Sequence, residues 1–220
     1  MIHIEHFTCN AFQERSVLVW DNDGFCAFVD PGFSSAAELN ELTSLVASKN
    51  LKPVCIMLTH AHIDHIYGVA ELAHAYNVPI YMDEREKYTL DVCNTFLCKN
   101  FGLPMPEAFE TVQPGASINV GSLEFEVLET PGHSVGGVCF LERKEKVLLS
   151  GDTLFAGAIG RTDHPGGDYD LLMRSIFEKL MCLDGDIAVI PGHGPDTSIA
   201  DERMTNPFLM PFNEPYEEKA

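Results

Sequence analysis

The sequence lacks any apolar run that approaches the roughly 20 residues of a membrane-spanning helix, so we expect no insertion into a membrane. Basic residues are scarce as well: 14 Lys and Arg stand against 33 Asp and Glu, which gives a formal net charge of −19. Most nucleic-acid affinity comes from cationic side chains that displace counterions from phosphates. The composition therefore argues against a nuclease, a nucleic-acid-binding module and a protein that binds anionic membranes.

The sequence has seven cysteines, an odd number, and no Cys-x-x-Cys pair. Both features are typical of reduced thiols rather than of a disulfide framework. The N-terminal stretch MIHIEHFTCN also lacks the basic start and the following apolar segment of a secretory signal peptide. We therefore predict a cytoplasmic protein.

A chain of 220 residues has the length of one domain and can bury a sizeable core, so we predict a single domain over residues 1–220. Strand-like and helix-like segments alternate loosely, which favours a layered α/β or α+β architecture. Ser35 and Glu38 have the spacing of a capping box, and Asp168 is a predicted N-cap. Strands are predicted at 12–20, 24–30, 54–58, 121–129, 137–142, 146–150 and 187–190. Besides the helix after Ser35, helices are predicted at 65–76, 83–100 and 168–182.

Several predicted strands end alike, because an apolar run leads into a tight turn and then into a His or Asp side chain. These segments are Leu58–His60, Leu128–His133, Leu149–Asp152 and Ile190–His193. Ligands of α/β proteins bind outside the carboxyl ends of such strands. Pro-Gly-His occurs in two of the segments, which suggests two half-domains of similar build.

The first of these strand ends opens into the sequence HAHIDH at residues 60–65. His60 and His62 are two positions apart, so on an extended segment both side chains project to one side. Asp64 and His65 follow at the turn into a helix, from where they can face a second position. Imidazole and carboxylate groups are the ligands that Zn²⁺ and similar ions prefer.

Two adjacent ions need about seven such ligands, and the sequence offers that number. The candidates are His60, His62, Asp64, His65, His133, Asp152 and His193. Single His and Asp residues after glycine are often only turn residues, but their joint placement after apolar strands favours a metal site. Asp152 could bridge the two ions.

This pattern resembles the HxHxDH motif of the metallo-β-lactamase superfamily, with His133, Asp152 and His193 matching its later ligands in order. The resemblance covers nearly the whole chain. It implies an α+β fold, the four-layer αββα sandwich, with two divalent metal ions at one edge between the sheets. We expect zinc, with iron or manganese as alternatives. We also assign Asp64 and Asp152 a catalytic part in addition to metal binding.

Within that superfamily, the segment SGDTLFAG at 150–157 looks most similar to glyoxalase II and its short relatives. In glyoxalase II, two metal ions hold a hydroxide that hydrolyses the thioester of hydroxyacylglutathione. The resemblance therefore implies a metal-dependent hydrolase of a small-molecule thioester. The chain departs from full-length glyoxalase II, because the segment after His193 is too short for the helical domain that helps to hold glutathione. The family's Lys and Tyr contacts to glutathione are also missing.

In place of those contacts stands the sequence GRTD at 160–163, which is shared with single-domain glyoxalase-II-like hydrolases and with persulfide dioxygenases. The alternative function is therefore a mononuclear-iron persulfide dioxygenase, in which His60, His133 and Asp152 would form the iron site. A third interpretation is a metal-binding or regulatory protein without catalysis. The complete ligand set argues against it.

Arg161 is the only Lys or Arg between Asp152 and Met173. Glutathione conjugates are anionic, and a chain of this net charge repels them. We therefore predict that Arg161 is the substrate-anchoring cation and pairs with a substrate carboxylate. The alternative is that Arg161 braces its loop by pairing with Asp163 or Asp152. His164 lies in the same loop, and we interpret it as a loop residue rather than as a substrate contact.

Overall fold

The computed structural model describes residues 1–94, 109–113 and 115–210, and two six-stranded sheets run through them. The strands of the first sheet are β1 (His3–Cys9), β2 (Glu14–Trp20), β3 (Phe25–Val29), β4 (Lys52–Met57), β5 (Ile80–Asp83) and β6 (Glu110–Val112). They lie side by side in chain order. Pairing is antiparallel from β1 to β3 and parallel from β3 to β6.

The strands of the second sheet are β7 (Ser117–Val120), β8 (Leu123–Glu129), β9 (Val138–Glu142), β10 (Val147–Gly151), β13 (Ala188–Pro191) and β14 (Thr197–Ser198). Their spatial order is β14-β13-β10-β9-β8-β7, and only the β10–β13 pair is parallel among the described pairs. A short hairpin of β11 (Leu154–Phe155) and β12 (Ala158–Ile159) follows β10.

The described helices lie between the strands in the chain. They are α1 (Ala36–Ser48), α2 (Ile63–Ile66), α3 (Val69–Tyr76), α4 (Glu86–Thr89), α5 (Tyr169–Ser175) and α6 (Ile199–Thr205). π-Helical turns extend α4 over Leu90–Asn94 and α5 over Ile176–Leu180. The capping box of α1 is confirmed, since Ser35 and Glu38 each accept a hydrogen bond from the other's backbone N–H. Asp168 caps α5 as predicted.

Three apolar cores separate four layers of structure. The core between the first sheet and α1 and α3 contains Phe28 and Leu72, and the core between the two sheets contains Met57 and Phe140. The third core lies between the second sheet and α5 and α6 and includes Leu148. Side chains of a strand alternate between its faces, so strands covered on both sides read as continuous apolar runs. The predicted αββα sandwich is confirmed.

Some predicted details differ from the structure. The predicted strand 12–20 begins only at Glu14. The strands that were not predicted are β1, β5, β6, β7, β11, β12 and β14. The predicted helix 83–100 is described as α4 and its π-helical turn, whereas residues 95–100 lie outside the described ranges. Both Pro-Gly-His segments follow strands of the second sheet, so their repetition does not mark two half-domains. None of the described helices is both long and apolar enough to cross a membrane.

Candidate metal centre

The predicted ligands meet where strands of both sheets end. His60 and His62 follow β4, and α2 begins directly after His62, whose backbone is still extended. Asp64 and His65 lie in α2 itself, so their side chains face a second position beside the first. The remaining predicted ligands follow β8, β10 and β13 of the second sheet and are His133, Asp152 and His193.

The structure brings six of these side chains into two adjacent groups. The first group is His60, His62 and His133, and the second group is Asp64, His65 and His193. Within each group the ligand atoms lie within 4.8 Å of one another. Asp152 lies between the groups, because its Oδ2 atom is 3.5 Å from Nε2 of His133 and 3.6 Å from Nε2 of His193. A carboxylate in this place could bridge two ions.

Buried atoms without a hydrogen-bond partner mark the middle of this cluster. In the described part of the chain, they include Nε2 of His60, Nε2 of His65 and Oδ1 of Asp152. Leaving a buried polar atom unsatisfied costs about 1–3 kcal/mol. Divalent ions would satisfy these atoms, and imidazole nitrogens and carboxylate oxygens are the ligands that such ions prefer. The residues therefore fit a pair of divalent ions.

Burial sets the protonation of the first group. Burial first, and neighbouring imidazoles second, lower the pKa of His60 well below its ordinary value and the pKa of His62 to about 3. Burial lowers the pKa of His133 as well. These imidazoles are neutral at pH 7, so they can bind an ion without first losing a proton.

Opposite charges set the protonation of the second group. Burial raises the pKa of Asp64 and Asp152, but the adjacent imidazoles outweigh it and hold both pKa values below the ordinary range. Burial lowers the pKa of His65 and His193, but the same carboxylates outweigh it and raise both pKa values. A cation that binds the second group must therefore displace protons from imidazoles.

Asp30, which the sequence analysis missed, orients two of the imidazoles. Its Oδ2 atom lies 3.1 Å from Nδ1 of His65, and both of its oxygens accept hydrogen bonds from Thr59. The Thr59 hydroxyl is in turn 3.0 Å from Nδ1 of His60. Asp30 also forms a compact group with His60 and His65, but its oxygens are already engaged, so it holds rings rather than an ion. Its sequence signal was available, because Asp30-Pro31-Gly32 ends β3 in the same way as the other strand ends.

Glu86 ties together the two loops that carry the first group. Its side chain is fully buried, and its oxygens accept hydrogen bonds from the backbone N–H groups of Ala61 at 2.8 Å and Gly136 at 2.7 Å. Ala61 lies between His60 and His62, and Gly136 lies in the loop after His133. No sequence pattern pointed to this residue, since it is a single glutamate in a short helix.

Arg15 holds the loop that carries His193. The Arg15 guanidinium donates hydrogen bonds to the carbonyl of Gly194 and to Oδ1 of Asp196. The Arg15 backbone N–H donates to the carbonyl of Gly192. A residue of the first sheet thus fixes the chain on both sides of a predicted ligand that follows a strand of the second.

Arg161 and His164 lie beside the first group. The carbonyl of Arg161 is 2.8 Å from Nδ1 of His133, which leaves Nε2 of that ring to face the cluster. The Arg161 guanidinium pairs with both oxygens of Asp163, and its side chain is 71% exposed. The His164 ring lies edge-on to those of His62 and His133, with centroids 4.7 Å and 4.9 Å away. His164 therefore borders the site, contrary to its interpretation as an ordinary loop residue.

A cavity of about 590 Å³ opens over both groups. Its polar lining comprises His62, Asp64, His133, Asp152, Arg161, His164 and His193. Its apolar lining comprises Phe12, Ile63, Phe155, Ala158 and Ile159. A cavity of this size with converging polar groups suits a small-molecule substrate.

Comparisons with known proteins agree with this geometry. The family model of the metallo-beta-lactamase superfamily matches residues 9–193, a range that includes all the predicted ligands. The hydroxyacylglutathione hydrolase GloC of Haemophilus influenzae is 37% identical over 213 residues, which cover 94% of this chain and 98% of GloC.

Solved structures give the same result. The BLEG-1 B3 metallo-beta-lactamase matches with a TM-score of 0.83 at 34% identity, over 94% of this chain and 99% of its own. TTHA1623, solved in a di-iron-bound form, matches with a TM-score of 0.82 at 35% identity, over 93% of this chain and 100% of its own. Similarity at this level shows that the fold is shared over nearly the whole chain.

Proposed function

The chain belongs to the metallo-beta-lactamase superfamily, and from this premise we propose that it is a metal-dependent hydrolase of the glyoxalase II type. Its substrate would be the thioester of a hydroxyacylglutathione or a similar small-molecule thioester. The observation that carries the proposal is the pair of adjacent groups with Asp152 between them. The GloC relative, which covers nearly the whole chain, supports the thioester as substrate.

The first group would hold one divalent ion, the second group would hold another, and Asp152 would bridge them. Zinc suits this donor set, and iron is the alternative that the di-iron form of TTHA1623 favours. Such ions, when bound, supply Lewis-acid polarisation of a carbonyl and a water that loses its proton near neutral pH.

The protein's own residues would prepare the reaction at this junction. Asp64 and Asp152 stay ionised because neighbouring imidazoles hold their pKa values low, so each can accept a hydrogen bond that orients the attacking water. The water oxygen bonds to the thioester carbon, the carbon–sulfur bond breaks, and the sulfur leaves as a thiolate. Of the two protons of the water, one passes to the thiolate and one to solvent, so the products are a carboxylate and a thiol. A thiol has a pKa of about 8.5, so its thiolate leaves without a dedicated general acid.

The mononuclear-iron dioxygenase would use only His60, His133 and Asp152. In such an enzyme the second group would have no function. Its ligand atoms nevertheless lie as close to one another as those of the first group. The presence of both groups therefore favours the hydrolase.

The test is metal analysis beside paired assays on the purified protein. We expect two ions per chain and hydrolysis of lactoylglutathione at the same rate with and without oxygen. One iron per chain, oxygen uptake with glutathione persulfide and no thioester hydrolysis would contradict the proposal and identify the dioxygenase.

A further inference from the structure

Phe12 projects from the loop between β1 and β2 at the mouth of the cavity, and 57% of its surface is exposed. Two residues of this loop that are not glycine have left-handed backbone conformations, Asn10 with φ 53° and Gln13 with φ 57°. Asparagine adopts this conformation comparatively readily, whereas for Gln13 it is unfavourable and persists only where the surroundings enforce it. The loop is therefore built to hold Phe12 in this exposed place.

Asn10 is the residue that enforces the loop conformation. Its side-chain oxygen accepts a hydrogen bond from the N–H of Phe12 at 2.9 Å. Its side-chain nitrogen donates at 3.0 Å to the carbonyls of Gly32 and Asp64. Asn10 thus connects the exposed Phe12 to the backbone of Asp64, a predicted metal ligand. This connection indicates that Phe12 is a contact surface for a molecule bound in the cavity.

The cavity has an apolar end and a polar end. Hydrogen bonds of the Asn10 side chain link Phe12 to Asp64. The ring of Phe155 lies 6.3 Å from the ring of His193. Both aromatic residues therefore border the second group. Ile63, which is next to Asp64 in the chain, also lines the cavity. At the other end, Arg161 and His164 border the first group.

We propose that the apolar end binds the acyl group of the substrate, and that this enzyme prefers thioesters of straight-chain apolar acyl groups over those of short hydroxyacyl groups. This inference rests on the proposed function and names its substrate class. A carrier thiol that bears carboxylates belongs at the polar end, because Arg161 is the cation of the described cavity lining. The acyl group then lies along Phe12 and Phe155, where an added hydroxyl would lose its water without gaining a partner.

The acyl preference has an expected size. Burial of one methylene group contributes about 0.8 kcal/mol, or roughly fourfold in affinity. Because one side of Phe12 faces solvent, we expect the acyl chain of the substrate to be only partly buried. Each methylene group then contributes less than this full value. We expect kcat/KM to rise at least tenfold from the acetyl to the hexanoyl thioester and to be lower for the lactoyl than for the butyryl thioester.

The experiment uses the metal-loaded full chain and thioesters of N-acetylcysteamine, a neutral carrier thiol. Acetyl, butyryl, hexanoyl and lactoyl esters are compared for the wild type, Phe12→Ala and Phe12→Leu. Phe25→Ala is the matched control, because Phe25 is a partly exposed phenylalanine at the opposite end of β3 from Asp30. Metal content and thermal unfolding are recorded for each variant.

We expect Phe12→Ala to lower kcat/KM for the hexanoyl ester at least fivefold more than for the acetyl ester, while the metal content stays unchanged. Phe12→Leu should recover part of the loss, and Phe25→Ala should behave like the wild type. A flat acyl series in the wild type, or an equal loss by Phe12→Ala on every ester, would overturn the inference and leave the hydrolase proposal standing.

A second series of acetyl esters with longer alkyl thiols distinguishes the two sides of the scissile bond. A length dependence confined to the thiol series would place the thiol at the apolar end and contradict the acyl assignment. No hydrolysis of any thioester at full metal loading would contradict the proposed function, and this inference would fail with it.

Discussion

The Arg15 guanidinium donates a 2.8 Å hydrogen bond to the carbonyl of Gly194, although the two residues belong to different halves of the sandwich. The Arg15 backbone N–H donates to Gly192 over the same distance. These two bonds flank His193, whose loop contains a left-handed glycine at 194. The geometry of the second group therefore depends on a strand of the opposite sheet.

Arg15→Ala should weaken binding at the second group while the first group is retained. Loss of an outer-shell contact typically costs 10- to 100-fold in metal affinity, so we expect the second zinc to bind at least tenfold more weakly. Calorimetric zinc titration of the metal-free protein measures both steps. Arg143→Ala is the control, because Arg143 pairs with Glu126 in an exposed position away from the cluster. If zinc affinity fell equally at both groups, Arg15 would have a general structural role instead.

Asp30→Asn should disturb His65 while the shape of the side chain is retained. The Asp30 carboxylate accepts from the Thr59 backbone N–H at Oδ1, and from the Thr59 hydroxyl and the His65 ring at Oδ2. An amide has only one oxygen, so its NH₂ group must face either the Thr59 N–H or the Thr59 hydroxyl and the His65 ring. Either placement disrupts the network that orients His65. We expect at least tenfold weaker zinc binding and an altered His65 ring signal in NMR spectra. Unchanged affinity would rule out an orienting role for Asp30.

Acidification from about pH 8 to about pH 6 should weaken the second zinc more than the first. The pKa values of His65 and His193 are raised, so these imidazoles gain protons as the pH falls, and zinc must displace them. The pKa values of His60 and His62 are lowered, so these rings stay neutral over the same range. Each displaced proton lowers affinity by up to about tenfold per pH unit.

Calorimetric titration in two buffers of different ionisation enthalpy counts the protons released at each step. Release should accompany the second zinc and be nearly absent for the first. Equal release at both steps would contradict the assigned protonation states.

Arg161→Ala should raise KM several-fold for glutathione thioesters, with kcat and metal content nearly unchanged, because an anchor contributes uniform binding. Esters of the neutral thiol N-acetylcysteamine should show no change. Arg161 pairs with Asp163 in the structure, so Asp163→Ala separates the two roles. If both variants lose metal to the same extent, Arg161 only braces its loop.

The sequence predicted the side chains that the structure brings together, because each of them follows an apolar strand at one edge of a layered fold. Asp30 obeys the same rule, because it directly follows the apolar strand β3, although it was not among the predicted residues. Arg15 and Glu86 could not be predicted. Their partners lie far away in the chain, and only the packed sandwich brings them into contact.

Strands that are buried on both faces, such as β9 and β10, were predicted because continuous apolar runs are conspicuous. Strand β1 was missed because it alternates polar and apolar residues at an edge of the first sheet. The two-residue strands β11 and β12 have no periodicity to detect. They nonetheless supply Phe155 and Ile159 to the cavity lining.

The most direct test of a two-ion thioester hydrolase is a zinc titration of the metal-free protein, with the rate of thioester hydrolysis recorded at each point. A two-ion centre predicts that the rate rises with the second equivalent and reaches its maximum at two ions per chain. His193→Ala, which removes a ligand of the second group, should bind close to one ion and hydrolyse at least tenfold more slowly. If hydrolysis reached its maximum at one ion per chain and His193→Ala kept that rate, the two-ion centre would be contradicted.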